Sequence, residues 1–290
     1  MKTIKLIFAL FTVISFASCE DVIQVKLDKG EPIITIDAFI NDMRSAQKVR
    51  LTYTDGYFSQ KTNEPVTGAT VKLKDLTTGI EYTFADNNDG DYLFNLATTD
   101  TLGRVGHDYE LTVVHQGNTF VSSSRLNRTS QVDSLIIEYQ EGGGLGNQDP
   151  GYKFSFLGFD IPGDTVDYYW IKSYNNGKFF NKGGDINICA DAAFGAGADG
   201  FPFITPIAEG ITPLGELFQK NEVCRVEIHS INLETYNFLN QVRTQTTNSG
   251  LFATSPENVK TNIKNITSDK VKVVGWFCMS AVGYRERVAE

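Results

Sequence analysis

The sequence predicts a mainly β protein: an N-terminal β-sandwich, then a second β-rich domain that carries one helix in the C-terminal half. Three observations carry this expectation. Apolar residues recur at every second position from Pro32 to about Ser123; Gly, Asn and Asp punctuate those runs at short intervals; and only the stretch after Ser230 repeats at helical spacing. A length of 290 residues exceeds the usual single domain, so two are expected, at 32–127 and 128–290, behind a leader at 1–18 and a tether at 19–31.

Lys2 and Lys5 precede an apolar run from Leu6 to Phe16, and Ala17 and Ser18 supply small residues at a cut before Cys19. The run is too short to span a bilayer core of about 30 Å. Phe16-Ala17-Ser18-Cys19 resembles the bacterial lipobox, which implies that Cys19 becomes the lipidated first residue, with Phe16 standing where Leu is usual. Several acyl chains on one Cys make a stable anchor, because one chain alone binds only marginally. Export to a membrane surface is therefore expected.

The strands follow in order. Ile34, Ile36, Ala38 and Ile40 share one face; Val49, Leu51 and Tyr53 alternate with Lys48, Arg50 and Thr52. Ala69, Val71 and Leu73, then Ile80, Tyr82 and Phe84, then Tyr92 and Phe94, then Tyr109, Leu111 and Val113, and last Phe120 continue the pattern. Gly68-Ala69-Thr70-Val71, Phe84 to Tyr92 with its Asp89-Gly90 turn, and Gly106 to Leu111 resemble immunoglobulin- or transthyretin-like sandwiches of the carboxypeptidase-regulatory type.

In the second half, Gln131–Tyr139, Tyr152–Phe156, Asp167–Lys172 and Cys224–Ile228 read as strands. Residues 183–213, rich in Gly and Pro, read as an irregular insertion. Ser230 is expected to cap a helix running to about Thr244, in which Tyr236, Leu239 and Val242 recur at threes. Val271–Met279, with Trp276-Phe277, closes the chain as a last strand.

Taken as an ensemble, the acidic pair Glu20-Asp21 after the lipidated Cys, the sandwich, the Val132-Asp133 strand, the Tyr236-Phe238-Leu239 helix, Asn262-Ile263 and the terminal Val-Gly-Trp-Phe strand resemble the DUF4249 lipoproteins of Bacteroidota. That resemblance implies a non-catalytic outer-membrane lipoprotein that partners a TonB-dependent transporter. A free-standing binder of glycan or peptide at the cell surface is the second expectation.

Charge and chemistry narrow the classes. The chain carries 26 basic and 35 acidic residues, and loss of residues 1–18 removes two lysines to leave a formal charge of −11. Nucleic acid is an unsuitable partner for such a balance, so the membrane is reached through acyl chains. Gly195 to Gly200 fits G-x-G-x-x-G, but Pro202 and Pro206 preclude the helix that would offer amides to pyrophosphate, so no cofactor is expected. Asp86–Asp91 is oxygen-rich yet lacks the EF-hand spacing, and Cys224 and His229 fall on opposite faces of a strand, so no metal is expected.

No nucleophile motif surrounds the three histidines, and an enzyme is not expected. Cys189, Cys224 and Cys278 allow three pairings, of which Cys189 with Cys224 is preferred, and Cys278 reads as a packing residue. Phe201 and Phe203, flanked by prolines, and Tyr169 are the candidates for contact with a partner or ligand.

Overall fold

A computed structural model describes residues 30–56, 59, 61–96, 101–142, 149–163, 166–190, 200–248 and 257–290. The alternating runs form β1 (Ile34–Asn41), β2 (Gln47–Tyr53), β3 (Thr70–Asp75), β4 (Glu81–Asp86), β5 (Asp91–Phe94), β6 (Asp108–His115) and β7 (Asn118–Arg125). Then come β8 (Ser134–Gln140), β9 (Gly151–Leu157), β10 (Tyr168–Asn175), β11 (Lys178–Phe179) and β12 (Asn187–Ala190). Helix α1 (Thr205–Glu209), β13 (Val223–Ile231), helix α2 (Leu233–Thr247), β14 (Lys264–Asn265), β15 (Val273–Ser280) and β16 (Val282–Val288) complete the chain. The protein is mainly β, as the sequence predicts.

One nine-stranded sheet runs in the order β14-β7-β6-β3-β4-β5-β2-β1-β15. Its neighbours are antiparallel except β1 and β15, which run parallel from Ile34 opposite Val273 to Asn41 opposite Ser280. The even-numbered apolar face of β1 points into a core shared with Leu51, Leu73, Tyr109 and Phe120 from this sheet and with Phe277 and Met279 of β15. Burying each large aliphatic side chain contributes roughly 1.5–3 kcal/mol, so the core favours a sheet curled around it.

The two ends of the sheet are joined by side chains. Asn262 accepts from the Phe277 amide at 3.0 Å and donates to the Phe277 carbonyl at 2.7 Å, Ser122 Oγ donates to the Asn262 carbonyl at 3.0 Å, and Ser124 Oγ accepts from the Met279 amide at 3.0 Å. These bonds satisfy amides on the free edge of β15, which would otherwise be unpaired. Gly275, opposite Ile36 within this ladder, has φ of +105°, and a Cβ there would collide with the Ile36 carbonyl, so no other residue fits the close approach of β15 to β1.

The second sheet runs β11-β10-β13-β16, with β12 also paired to β10, and β8 with β9 forms a separate hairpin. Alternation splits β10 and β13 between two surfaces. Tyr169, Ile171, Cys224, Val226 and Ile228 face a second core with Leu135, Phe154 and Phe218. Trp170 and Ile231 face a third cluster with Trp276, Cys278 and Leu239, where α2 lies over β15. There Phe238 stacks on Trp276 with centroids 4.4 Å apart, and the indole Nε1 donates to Thr235 Oγ1 at 2.9 Å.

Four expectations change. The division at 127/128 does not divide the fold, because β14 and β15 return to the first sheet and Pro32–Glu290 forms one unit. The segment 183–213 is not irregular throughout: it contains a 3₁₀ turn at Gly183–Asp185, β12 and α1. Asn232, not Ser230, caps α2, its side chain accepting from the Thr235 amide at 2.8 Å; Ser230 lies in β13, and its hydroxyl instead donates to the Asn127 carbonyl and accepts from Ala281 N. Finally, β15 is not the last strand, since β16 follows it after a single residue.

Candidate functional site

The three side chains singled out for contact, Tyr169, Phe203 and Phe201, do come together, in successive layers from core to surface. Tyr169 is fully buried and is not a contact residue. Its hydroxyl donates to Asp160 Oδ1 at 2.7 Å, and burial, together with that carboxylate, pushes its pKa well up. Phe203 is half-buried above it, 5.3 Å from the Tyr169 ring and 5.5 Å from Phe156 in edge and tilted geometry. Phe201 is 59% exposed.

A short antiparallel ribbon builds these layers. The bridge of Phe159 with Pro202 is flanked by the Asp160 amide donating to the Phe201 carbonyl at 2.9 Å and the Phe203 amide donating to the Gly158 carbonyl at 3.0 Å. Strand alternation turns Asp160 and Phe203 inward and Leu157, Phe159, Pro202 and Ile204 outward. Phe159 is 46% exposed, and Leu157 and Ile204 are each 38% exposed. The outward face of the ribbon is therefore an apolar strip, and Phe201, next to Pro202 in the chain, is exposed beside it.

Polar groups hold the strip from beneath. Ser130 Oγ donates to the Phe159 carbonyl at 2.6 Å. Arg128 donates twice to Asp167 Oδ2, at 2.9 and 2.7 Å, and to the carbonyls of Ile161 and Pro162, fixing the loop that follows the ribbon. The hydrogen bond that Arg128 gives to Asp167 leads the causes that raise the Arg128 pKa, so the guanidinium stays charged. Leu157, Phe159 and Ile204 carried no mark in the sequence, because Leu157 and Phe159 lie past the Phe154 and Phe156 alternation of β9 and in the opposite phase to it.

A second polar arrangement lies where the second sheet faces β1 and β15. Cross-strand pairing sets Trp170 opposite His229, Lys172 opposite Glu227 and Tyr174 opposite Arg225. Glu227 accepts from Tyr174 at 2.9 Å, His229 at 2.8 Å and Arg225 at 2.7 Å. Burial works against the Glu227 charge, but these bonds and the Arg225 cation outweigh it and hold its pKa at about 2. Burial, with the Lys172 ammonium nearby, pushes His229 down to about 4, so the imidazole is neutral and donates.

Lys172 Nζ lies 4.0 Å from the Trp170 centroid, with Phe39 at 5.8 Å and Phe179 at 5.9 Å. Burial lowers its pKa to about 8, against the pull of Glu227 and Asp37. Both oxygens of Glu227 are engaged by donors of β10 and β13, so this row ties those two strands together, and Lys172 reaches from it to Phe39 of β1.

The other candidates resolve locally. Asp86 accepts from the amides of Gly68 and Asn88 and from the Tyr92 hydroxyl, Asp89 from the Asp91 amide and Asn87, and Asp91 pairs with Lys48 and Arg50. The segment is a turn whose oxygens are engaged by its own backbone and by neighbouring strands, with Gly90 at φ of +87°. His107 pairs with Asp75 at 2.8 Å, and His115 meets the Tyr53 hydroxyl at 2.9 Å.

The preferred disulfide is excluded by register. Cys189 lies opposite Tyr169 and Cys224 opposite Asn175, six residues along β10 or about 20 Å, where a bridge needs Cα atoms within about 7 Å. Burial drives the Cys224 thiol up to about 12, so it is inert, and Cys278 is likewise buried and raised. Among the described residues no three His, Cys, Asp or Glu side chains are placed to share a metal, and no helix is long and apolar enough to cross a membrane. Cys19 and Gly195–Ala198 lie outside the described residues.

No curated protein matches the chain. A family model described as a domain of unknown function, DUF4249, matches residues 20–286, nearly the whole length over which both sheets and the apolar strip are built. The chain belongs to the DUF4249 family.

Proposed function

We propose that this protein is a non-catalytic lipoprotein of the bacterial outer membrane, anchored through Cys19, that docks on and assists a TonB-dependent transporter, as the likeness to Bacteroidota lipoproteins implies. The observation that carries this reading is the apolar strip of Leu157, Phe159, Pro202 and Ile204 with Phe201 exposed beside it, held rigid by the Ser130 and Arg128 bonds. Exposed apolar surface on a well-ordered support marks protein contact, and large aromatic anchors dominate such contacts. The resemblance of Phe16-Ala17-Ser18-Cys19 to a lipobox supports attachment to a bilayer, the setting in which such a transporter would be met.

Co-purification in mild detergent tests the reading. The native lipoprotein is expected to carry a β-barrel transporter with it, and F159D with F201D is expected to release that partner without changing the melting temperature, because both side chains are exposed. A native preparation without any barrel, or a doubly substituted one that retains it, overturns the proposal. The exposed aromatic rings also suit a glycan, which a glycan array on the purified chain would reveal as binding lost in the same variant.

A further inference from the structure

A cleft of about 800 Å³ lies between α2 and the start of β15, within the usual size range of small-molecule sites. Phe238 and Val242 of α2 form one wall, and Ile266 and Val271, from the turn between β14 and β15, form the other. Three lysines, Lys260, Lys264 and Lys272, line the same cleft, with Asp269 as the sole acid among its lining residues. None of the three has an ion-pair partner among the described residues, and all are exposed. This is a local excess of cations on a chain whose formal charge is −9.

The wall has little hydrogen bonding left to offer. Thr261 Oγ1 donates to the Gly275 carbonyl at 2.7 Å, Asn265 Nδ2 donates to the Val271 carbonyl at 3.1 Å, and the Ile266 amide donates to the Thr119 carbonyl at 2.9 Å. An added peptide strand needs free backbone groups on the edge it joins, and these are taken. What remains is hydrocarbon surface beside unpaired ammonium groups. That combination matches a ligand with one apolar tail and one anionic head.

We propose that this cleft binds a long-chain carboxylate, its tail against Phe238, Val242, Ile266 and Val271 and its head beside Lys260, Lys264 and Lys272. The site is distinct from the strip around Phe159, so its occupancy and transporter docking fail or succeed separately.

Calorimetric titration of the purified full chain tests the proposal, with dodecanoate below its micellar concentration as the probe and dodecanol and dodecyltrimethylammonium as tail-matched controls. Dodecanoate is expected to bind best. Reversing all three charges (K260E, K264E, K272E) is expected to weaken it by about tenfold, since each exposed ion pair contributes modestly. Ile266→Glu, at an exposed position, should weaken it as well while the melting temperature stays unchanged, which separates loss of the site from loss of the fold. Equal binding of the three amphiphiles, unchanged affinity in the charge-reversed variant, or capture of an acidic peptide with no binding of dodecanoate overturns the proposal.

Discussion

Lys172 illustrates how one residue links sequence to the behaviour of the fold. It faces Glu227 across β13, Asp37 on β1 and Cys278 on β15, with His229 beside it, yet its nearest partners are aromatic faces. Its folded pKa of about 8 lies below the ordinary 10.5 of the unfolded chain, so the unfolded state binds more protons between those values. The contribution of Lys172 to stability should therefore rise as pH goes from about 8 to 10.5, while the raised Cys224 and Cys278 thiols pull the other way above about 9; K172M, which keeps the packing and removes the charge, should remove the rising part in a melting series.

His229 and Glu227 set the acid side. The folded imidazole titrates near 4 against an ordinary 6.5, and the folded carboxylate near 2 against 4.5. The contribution of these two groups is then full above about pH 6.5, erodes toward pH 4 through His229, and falls further below 4.5 through Glu227. H229Q should flatten the first step and move the second toward higher pH, since His229 is among the groups that hold Glu227 low; a melting curve against pH distinguishes the two effects.

At the scale of elements, the seam of the nine-stranded sheet rests on Asn262, whose side chain makes both bonds to Phe277. N262A leaves those half-buried backbone groups without their partners and should cost about 1–3 kcal/mol, read as a lowered denaturation midpoint with unchanged slope. How legible an element was depended on its surroundings. Strands β1 to β10 showed themselves because one face of each is apolar. β16 did not, because its Arg285 and Arg287 are engaged with the carbonyls of Val132 and Leu135, at 2.9 and 2.7 Å, so its charges serve an interior contact while reading as surface. β12 was hidden by the Gly- and Pro-rich sequence around four residues of strand, and the cap moved to Asn232 because Ser230 is claimed by tertiary bonds that no local pattern reports.

On the scale of the whole molecule, the sequence conveyed the mainly β character and the family likeness but not the way the chain returns on itself. Length alone suggests two domains with a limit near residue 128, whereas pairing of β1 with β15 is a contact between stretches more than two hundred residues apart, which alternation cannot encode. The candidate site was legible in part for the same reason: Phe201 and Phe203 stood out beside prolines, while Phe159 became recognisable only when the ribbon set it opposite Pro202. A fragment ending at residue 127 lacks Phe277 and Met279 from its core and leaves the edge of β1 unpaired. It should therefore fail to give a cooperative thermal transition, whereas residues 32–290 should unfold in one; differential scanning calorimetry on both decides the matter. The parallel β1–β15 ladder also bears on biogenesis. The strand made first cannot find its neighbour until nearly the entire polypeptide has been synthesised, so the nascent chain must wait with a sticky flank uncovered, and a holdase that shields that flank during this interval would set the yield of soluble product.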